Sequence, residues 1–166
     1  MDKKLFEFIN KMAGKSEVVD KGMIYASNEM RYIYPLAFIF LLISEPKKIR
    51  RDLFLNVVYT IIVNLCLNFL VKKVKYRPRP FIIRHVNVLL PSKLDSSYIS
   101  KHSLLAFSLS TCFFLYNKVL GKFMFILSTV MGISRVWVGA HYPLDVVRGG
   151  LLGSVASFII SGVRMK

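Results

Sequence analysis

The sequence predicts an all-α, polytopic membrane helix bundle of about five to six transmembrane helices, with a polar site at one membrane face. Three observations lead there. Hydrophobic residues make up 54% of the 166 residues and mean hydropathy is +0.49, too apolar for an ordinary soluble domain of this length. The apolar residues fall in long blocks, as membrane spans require. Between the blocks lie 24 Lys and Arg against 9 Asp and Glu, a formal charge of +15. On a soluble protein such a balance would point to nucleic acid. Set between apolar blocks, it points to anionic headgroups or a phosphate substrate, and no nucleic-acid partner is expected.

Residues 3–22 mix Leu5, Phe6, Phe8, Ile9 and Met12 with Lys3, Lys4, Glu7, Lys11 and Lys15, which suits a helix lying at the membrane surface. Met23–Ile43 is the first expected span, weakened in its first half by Asn28, Glu29 and Arg31. A short basic loop follows, with Lys47, Lys48, Arg50 and Arg51. Leu53–Val71 is the second span. Its Asn56, Thr60, Asn64 and Asn68 recur every fourth residue, a polar stripe that belongs inside a bundle. Lys72–His102 is a long polar connection, too long to be a simple turn. Its Arg77-Pro78-Arg79-Pro80 run favours an extended path. Ser103–Leu120 is the third span, Gly121-Lys122 an expected tight turn, Phe123–Val138 the fourth span and Leu144–Val163 the fifth. In the last, Gly149, Gly153 and Ser157 place a small residue at every fourth position, which allows close helix contact. Cys66 and Cys112 both lie in apolar runs and read as buried thiols, not a disulfide frame.

Alternation of the spans brings the loop 72–102 and the join 135–145 to one side of the membrane. Lys47–Arg51, Lys118, Lys122 and Arg164 go to the other. Lys72, Arg77, Arg79, His102, Arg135, His141 and Asp145 can therefore converge. Most of the basic residues lie on the converging side, which by the positive-inside rule would be cytoplasmic. Bases bound to phosphate are not free to orient a chain, so charge alone leaves sidedness open.

Three pieces carry the chemistry: Lys72-x6-Arg79-Pro80, Ser100-Lys101-His102, and Ser134-Arg135-x5-His141-x3-Asp145. Lys72, Arg79 and Arg135 can balance the charge on phosphoryl oxygens, which is most of what phosphoryl transfer asks of a protein. His141, four residues before Asp145, can be oriented by it and attack phosphorus. His102 can protonate the leaving oxygen and later activate water. Ser100 and the backbone around Lys101 can bind phosphate at a helix N-terminus. The bland reading is a structural Arg–Asp pair with an interfacial His. His85 reads as a surface residue, and Trp137 and Tyr142 as an interfacial aromatic belt. The residues on this face are too few for a metal site.

These pieces resemble the signature of the type 2 phosphatidic acid phosphatases, which share a core with vanadium haloperoxidases: K-x6-R-P, P-S-G-H and S-R-x5-H-x3-D. The first and third parts match at every fixed position, and the resemblance covers roughly residues 50–165. The Arg-Pro-Arg-Pro-Phe and Arg-Val-Trp-Val-Gly-Ala-His-Tyr-Pro-Leu-Asp-Val stretches look most like bacterial undecaprenyl-diphosphatases of the bacitracin-resistance type. The second motif departs from the pattern: Ile99 stands where the family has Pro, and Lys101 where it has Gly or Asp. Lys101 adds a cation beside His102, which favours the neutral imidazole, or it meets a second phosphate.

The resemblance implies one integral membrane phosphatase domain over 1–166, with 1–22 an interfacial segment and 53–165 the catalytic core. It implies a polyprenyl (undecaprenyl) diphosphate hydrolysed to the monophosphate through a phosphohistidine, with no metal or other cofactor and no obligate protein partner. It places the site at the extracytoplasmic face of the cell membrane. The alternatives are a phosphatidic acid or phosphatidylglycerophosphate phosphatase, a phosphotransferase, and a non-catalytic relative that binds anionic lipid.

Overall fold

The computed structural model describes residues 1–91 and 94–164. These form eight α-helices and no strand: α1 (Asp2–Asn10), α2 (Glu17–Asn28), α3 (Ile33–Ser44), α4 (Lys47–Val74), α5 (Pro80–Ile83), α6 (Lys101–Tyr116), α7 (Lys118–Trp137) and α8 (Pro143–Arg164). The all-helical bundle of a membrane protein is thus present. Helices α4, α7 and α8 are long and apolar enough to cross a membrane, whereas the apolar stretch Met30–Ser44 is shorter and α6 has 16 residues. Many large apolar side chains point outward, among them Ile62, Phe69, Ile126, Leu151 and Phe158, as lipid-facing surfaces do.

The first expected span is not one helix. Asn28 ends α2, a 3₁₀ turn at Met30–Tyr32 follows, and α3 begins at Ile33. The break puts the polar Asn28 and Arg31 against a cavity. The turn expected at Gly121-Lys122 also lies elsewhere. Asn117 joins α6 to α7, and its side-chain oxygen accepts from the Leu120 amide at 3.0 Å, a standard N-cap bond. Gly121 instead lets α7 approach α6: a Cβ there would sit 2.2 Å from the Phe114 Cα.

The small-residue stripe of α8 does the work expected of it. A Cβ on Gly149 would meet the Ser100 carbonyl oxygen at 2.7 Å, and one on Gly153 the Leu104 carbonyl oxygen at 2.2 Å. Only a missing side chain allows α6 and α8 to lie this close. The polar stripe of α4 faces inward. Asn56, Thr60 and Asn64 are fully buried, with Asn56 donating to the Tyr116 hydroxyl at 3.0 Å. An apolar core of Tyr34, Leu41, Leu53, Phe113, Met124 and Met131 fills the space between α3, α4, α6 and α7.

Candidate active site

The bundle brings four helix ends to one place. Lys72 is in the last turn of α4, His102 in the first turn of α6, Arg135 in the last turn of α7 and Asp145 in the first turn of α8. Antiparallel neighbours thus deliver alternately a C-terminus and an N-terminus to this face. Lys72, Arg79, Lys101, His102, Arg135 and His141 all line one cavity of about 700 Å³. Its remaining wall is mostly apolar, with Tyr34, Pro35, Leu105, Leu109 and Met131.

His141 follows α7 and precedes α8, in non-helical backbone, and is buried. Its Nδ1 lies 3.3 Å from the Ser97 carbonyl oxygen. A carbonyl only accepts, so this bond places the proton on Nδ1 and leaves the Nε2 lone pair toward the cavity. Arg79 Nη1 is 3.4 Å from Nε2 and donates to the Ala140 carbonyl at 3.1 Å. Burial pushes the His141 imidazole well below the ordinary histidine range, and the charges of Arg79, Arg135 and Lys72 push the same way. The neutral form of the ring is favoured, with its Nε2 lone pair free of a proton.

Asp145 is fully buried, but its closest approach to His141 Nδ1 is 3.9 Å. The expected direct hydrogen bond is replaced by the Ser97 carbonyl. The reason is local. Asp145 is the third residue of α8, and such an acid reaches back to the amide before the helix. Here Oδ2 accepts from the Tyr142 amide at 3.0 Å and from Ser97 Oγ at 3.0 Å. Its Oδ1 accepts from Arg77 Nη1 at 2.5 Å, with Arg148 at 3.6 Å. Asp145 thus lies beside His141 without bonding it, and holds Ser97 and the Tyr142 amide next to the ring.

Ser100 is also used differently. Its Oγ accepts from the Ser103 amide at 3.3 Å and from Ser103 Oγ at 3.0 Å, so it caps α6 and does not line the cavity. Ile99, beside it, is buried. Lys101 is exposed at the cavity wall. Arg135 is buried, donates from Nη1 to Ser27 Oγ at 2.7 Å, and has a buried Nε without a partner among the described residues.

Three contributors were not apparent in the motifs. Asp95 accepts from Lys72 Nζ at 2.7 Å and from Arg79 Nη2 at 2.6 Å, so a carboxylate lies where the two cations would grip phosphate oxygens. Burial pushes Asp95 up, but its bonds to Lys72 and Arg79 hold it below the ordinary carboxylate range. Arg31, next to the break between α2 and α3, adds a cation to the cavity wall. Arg77 does not line the cavity and grips Asp145 and Asp2. An acid amid many bases, with partners far along the chain, leaves no spacing signal. Trp137 and Tyr142 are not belt residues. Trp137 Nε1 donates to Asp20 at 2.8 Å inside the protein, and Tyr142 is buried between Phe6 and Arg77. His85 is exposed as expected.

Known proteins resemble this chain in sequence and in fold. An undecaprenyl-diphosphatase BcrC of Bacillus subtilis (strain 168) is 30% identical over 162 residues, covering 98% of this chain and 81% of the relative. A Bacillus licheniformis protein named bacitracin transport permease protein BcrC is 30% identical over 159 residues, covering 93% and 76%. The crystal structure of Aquifex aeolicus LpxE superposes with a TM-score of 0.76 at 26% identity, covering 96% of this chain and 93% of that one. Residues 53–166 match the PAP2 superfamily, and the chain belongs to that family.

Proposed function

We propose that this chain is an integral membrane lipid phosphatase that hydrolyses a polyprenyl diphosphate, of the undecaprenyl type, to the monophosphate. The observation that carries the reading is one cavity in which two histidines and five cations, Arg31 included, meet an apolar wall. The headgroup would lie among Lys72, Arg79, Lys101 and Arg135, and the first part of the tail against Leu105, Leu109 and Met131. The diphosphate is favoured by the names of the relatives and by the number of cations, which exceeds what one phosphoryl group needs.

In the first step the His141 Nε2 lone pair attacks the terminal phosphorus. The bond from that phosphorus to the bridging oxygen breaks, and His102 gives its proton to the leaving lipid phosphate. Lys72, Arg79 and Arg135 hold the three equatorial oxygens. Burial, and after it the charges of Arg135 and Arg31, push the His102 imidazole down to about 3, so the proton that it passes to the leaving phosphate is one that the bound diphosphate brings. In the second step water attacks the phosphohistidine, His102 takes its proton, the P–N bond breaks and inorganic phosphate leaves. The substrate's own proton, the two histidines and water account for every proton and electron pair, and the scheme calls on no metal or other cofactor. Asp145 stabilises the cationic ring of the intermediate through its field.

Residues 53–165 form the catalytic core in this reading, and 1–22 the interfacial segment, although Asn28 and Arg31 from outside the core complete the cavity. The protein would be multi-pass in the cell membrane with the site extracytoplasmic. The opposing count of basic residues loses weight because Lys72, Arg77, Arg79 and Arg84 are in ion pairs. Labelling of single cysteines at Ser44 and His85 in a cysteine-free background tests this: only His85→Cys should react from outside intact cells.

The deciding assay is phosphate release by detergent-purified protein, with chelator present, from undecaprenyl diphosphate and from phosphatidic acid, for the native chain and His141→Ala. Release that survives chelator and disappears in the variant is expected, with the diphosphate preferred. Preference for phosphatidic acid would replace the substrate. No release from either would favour a non-catalytic lipid-binding protein, with Ile99 and Lys101 as the residues that departed.

A further inference from the structure

We propose that Asp2 is a positioning residue for phosphoryl transfer, acting through Arg77 on the Asp145 carboxylate and on the loop that carries His141. The inference rests on the phosphatase reading above.

Asp2 Oδ2 accepts from Arg77 Nη2 at 2.5 Å, and Arg77 Nη1 donates to Asp145 Oδ1 at 2.5 Å. One guanidinium thus holds two carboxylates, one from each end of the chain. The other oxygen of Asp2 accepts from the Leu144 amide at 2.9 Å. Leu144 is in the first turn of α8, where amides lack intrahelical partners. The residue that precedes the helix is Tyr142, which has no side-chain oxygen within reach of that amide. Asp2 therefore does from a distance what a Ser or Asp before the helix would do locally, and its charge sits at the positive end of the helix.

The bonds converge on the residues flanking His141. Arg77 stacks on the Tyr142 ring, 4.0 Å from its centroid, and Phe6 of α1 meets the same ring edge-on at 5.2 Å. Tyr142 is therefore clamped between Arg77 and α1. At the other end of α1, buried Asn10 accepts from the Asn87 amide at 2.9 Å and donates to the Trp137 carbonyl at 2.8 Å. Phe6 and Asn10 seat α1 by packing and amide bonds, and the carboxylate of Asp2 adds a charge.

What it adds is charge balance. Asp145 faces two guanidiniums, Arg77 at 2.5 Å and Arg148 at 3.6 Å. Without Asp2 these two cations would outweigh the one carboxylate, and little negative field would reach His141 3.9 Å away. With Asp2 on Arg77 the two signs are matched, and Asp145 keeps its influence on the ring as it becomes cationic. The side chain of Asp2 is only 11% exposed, so water screens this charge weakly.

The test compares kcat and KM for the native chain, Asp2→Asn, Asp2→Glu, Arg77→Gln and the double variant Asp2→Asn/Arg77→Gln, with His141→Ala as the blank. Both lipids of the assay above are used, and rates are taken per folded protein. Asp2→Asn should lower kcat by about ten- to a hundredfold, the scale of a misplaced reacting group, with KM nearly unchanged. Asp2→Glu should recover part of the loss. The Asp2→Asn loss should vanish in the Arg77→Gln background, because the two residues act as one unit. A native kcat in Asp2→Asn, or an equal loss in both backgrounds, would overturn the proposal while leaving the phosphatase reading intact. No release by the native chain from either lipid would overturn both.

Discussion

Asp95→Asn should make the enzyme bind phosphate more tightly. The Asp95 carboxylate holds Lys72 at 2.7 Å and Arg79 at 2.6 Å, so a phosphate has to displace it to reach them. Asp95 is 41% exposed, so each pair is closer to a surface ion pair than to a buried one, worth about 0.2–1 kcal/mol. Together they give about 1 kcal/mol, or roughly a fivefold change in affinity. The opposing effect is loss of order in the cations. It is the smaller one, because Arg79 is buried and keeps its bond to the Ala140 carbonyl at 3.1 Å. The cleanest readout is the inhibition constant of inorganic phosphate, which has no tail to confuse it. The constant and KM should both fall about fivefold, with kcat nearly unchanged, and the difference should shrink as salt is raised. A weaker inhibition constant in the variant would refute the reasoning: Asp95 would then be organising the cations for phosphate, not competing with it.

Two further outcomes follow from the geometry. The His141 ring is held neutral in the folded protein, so below the ordinary histidine value near 6.5 the unfolded chain takes up a proton that the native site refuses. Stability is then complete above that pH and declines as pH falls through it; denaturation in mixed micelles from pH 7.5 to 5.5 should show the slope, and His141→Gln should reduce it, the remainder coming from His102, which burial pushes down to about 3. Gly153→Ala should destabilise the bundle by about 1–3 kcal/mol through overpacking, since its Cβ would meet the Leu104 backbone at 2.2 Å; an unchanged unfolding midpoint would show that α6 and α8 can separate at little cost.

Much of the site was legible because helices translate spacing into position. Lys72, Arg135 and Asp145 stand at the ends of long apolar runs, so alternation of the spans alone brings them together. His102 and His141 came with them, and all but Ser100 and Asp145 of the expected site residues line one cavity. Ser100 was chosen for its place at a helix start, and that place is the reason it is consumed as a cap. Asp145 was expected on His141 because the two are four apart. That reach holds within a helix, but His141 lies before α8 and outside it. Trp137 and Tyr142 looked like belt residues because aromatic rings near span ends usually are. Here the amino-terminal helices cover that end, and Asp20 and Phe6 claim the two rings.

By itself the sequence determined the all-helical membrane bundle, the face on which the functional groups gather, and the residue types that meet there. These depend on hydropathy, on span alternation and on local helical spacing, which are properties of short windows of chain. The tertiary structure alone decided which groups are bonded to which: the Ser97 carbonyl on His141, Asp95 across Lys72 and Arg79, and Asp2 on Arg77. Those choices join residues up to 75 positions apart. They are made by burial, which forces each polar atom to find whatever partner the packing brings within reach.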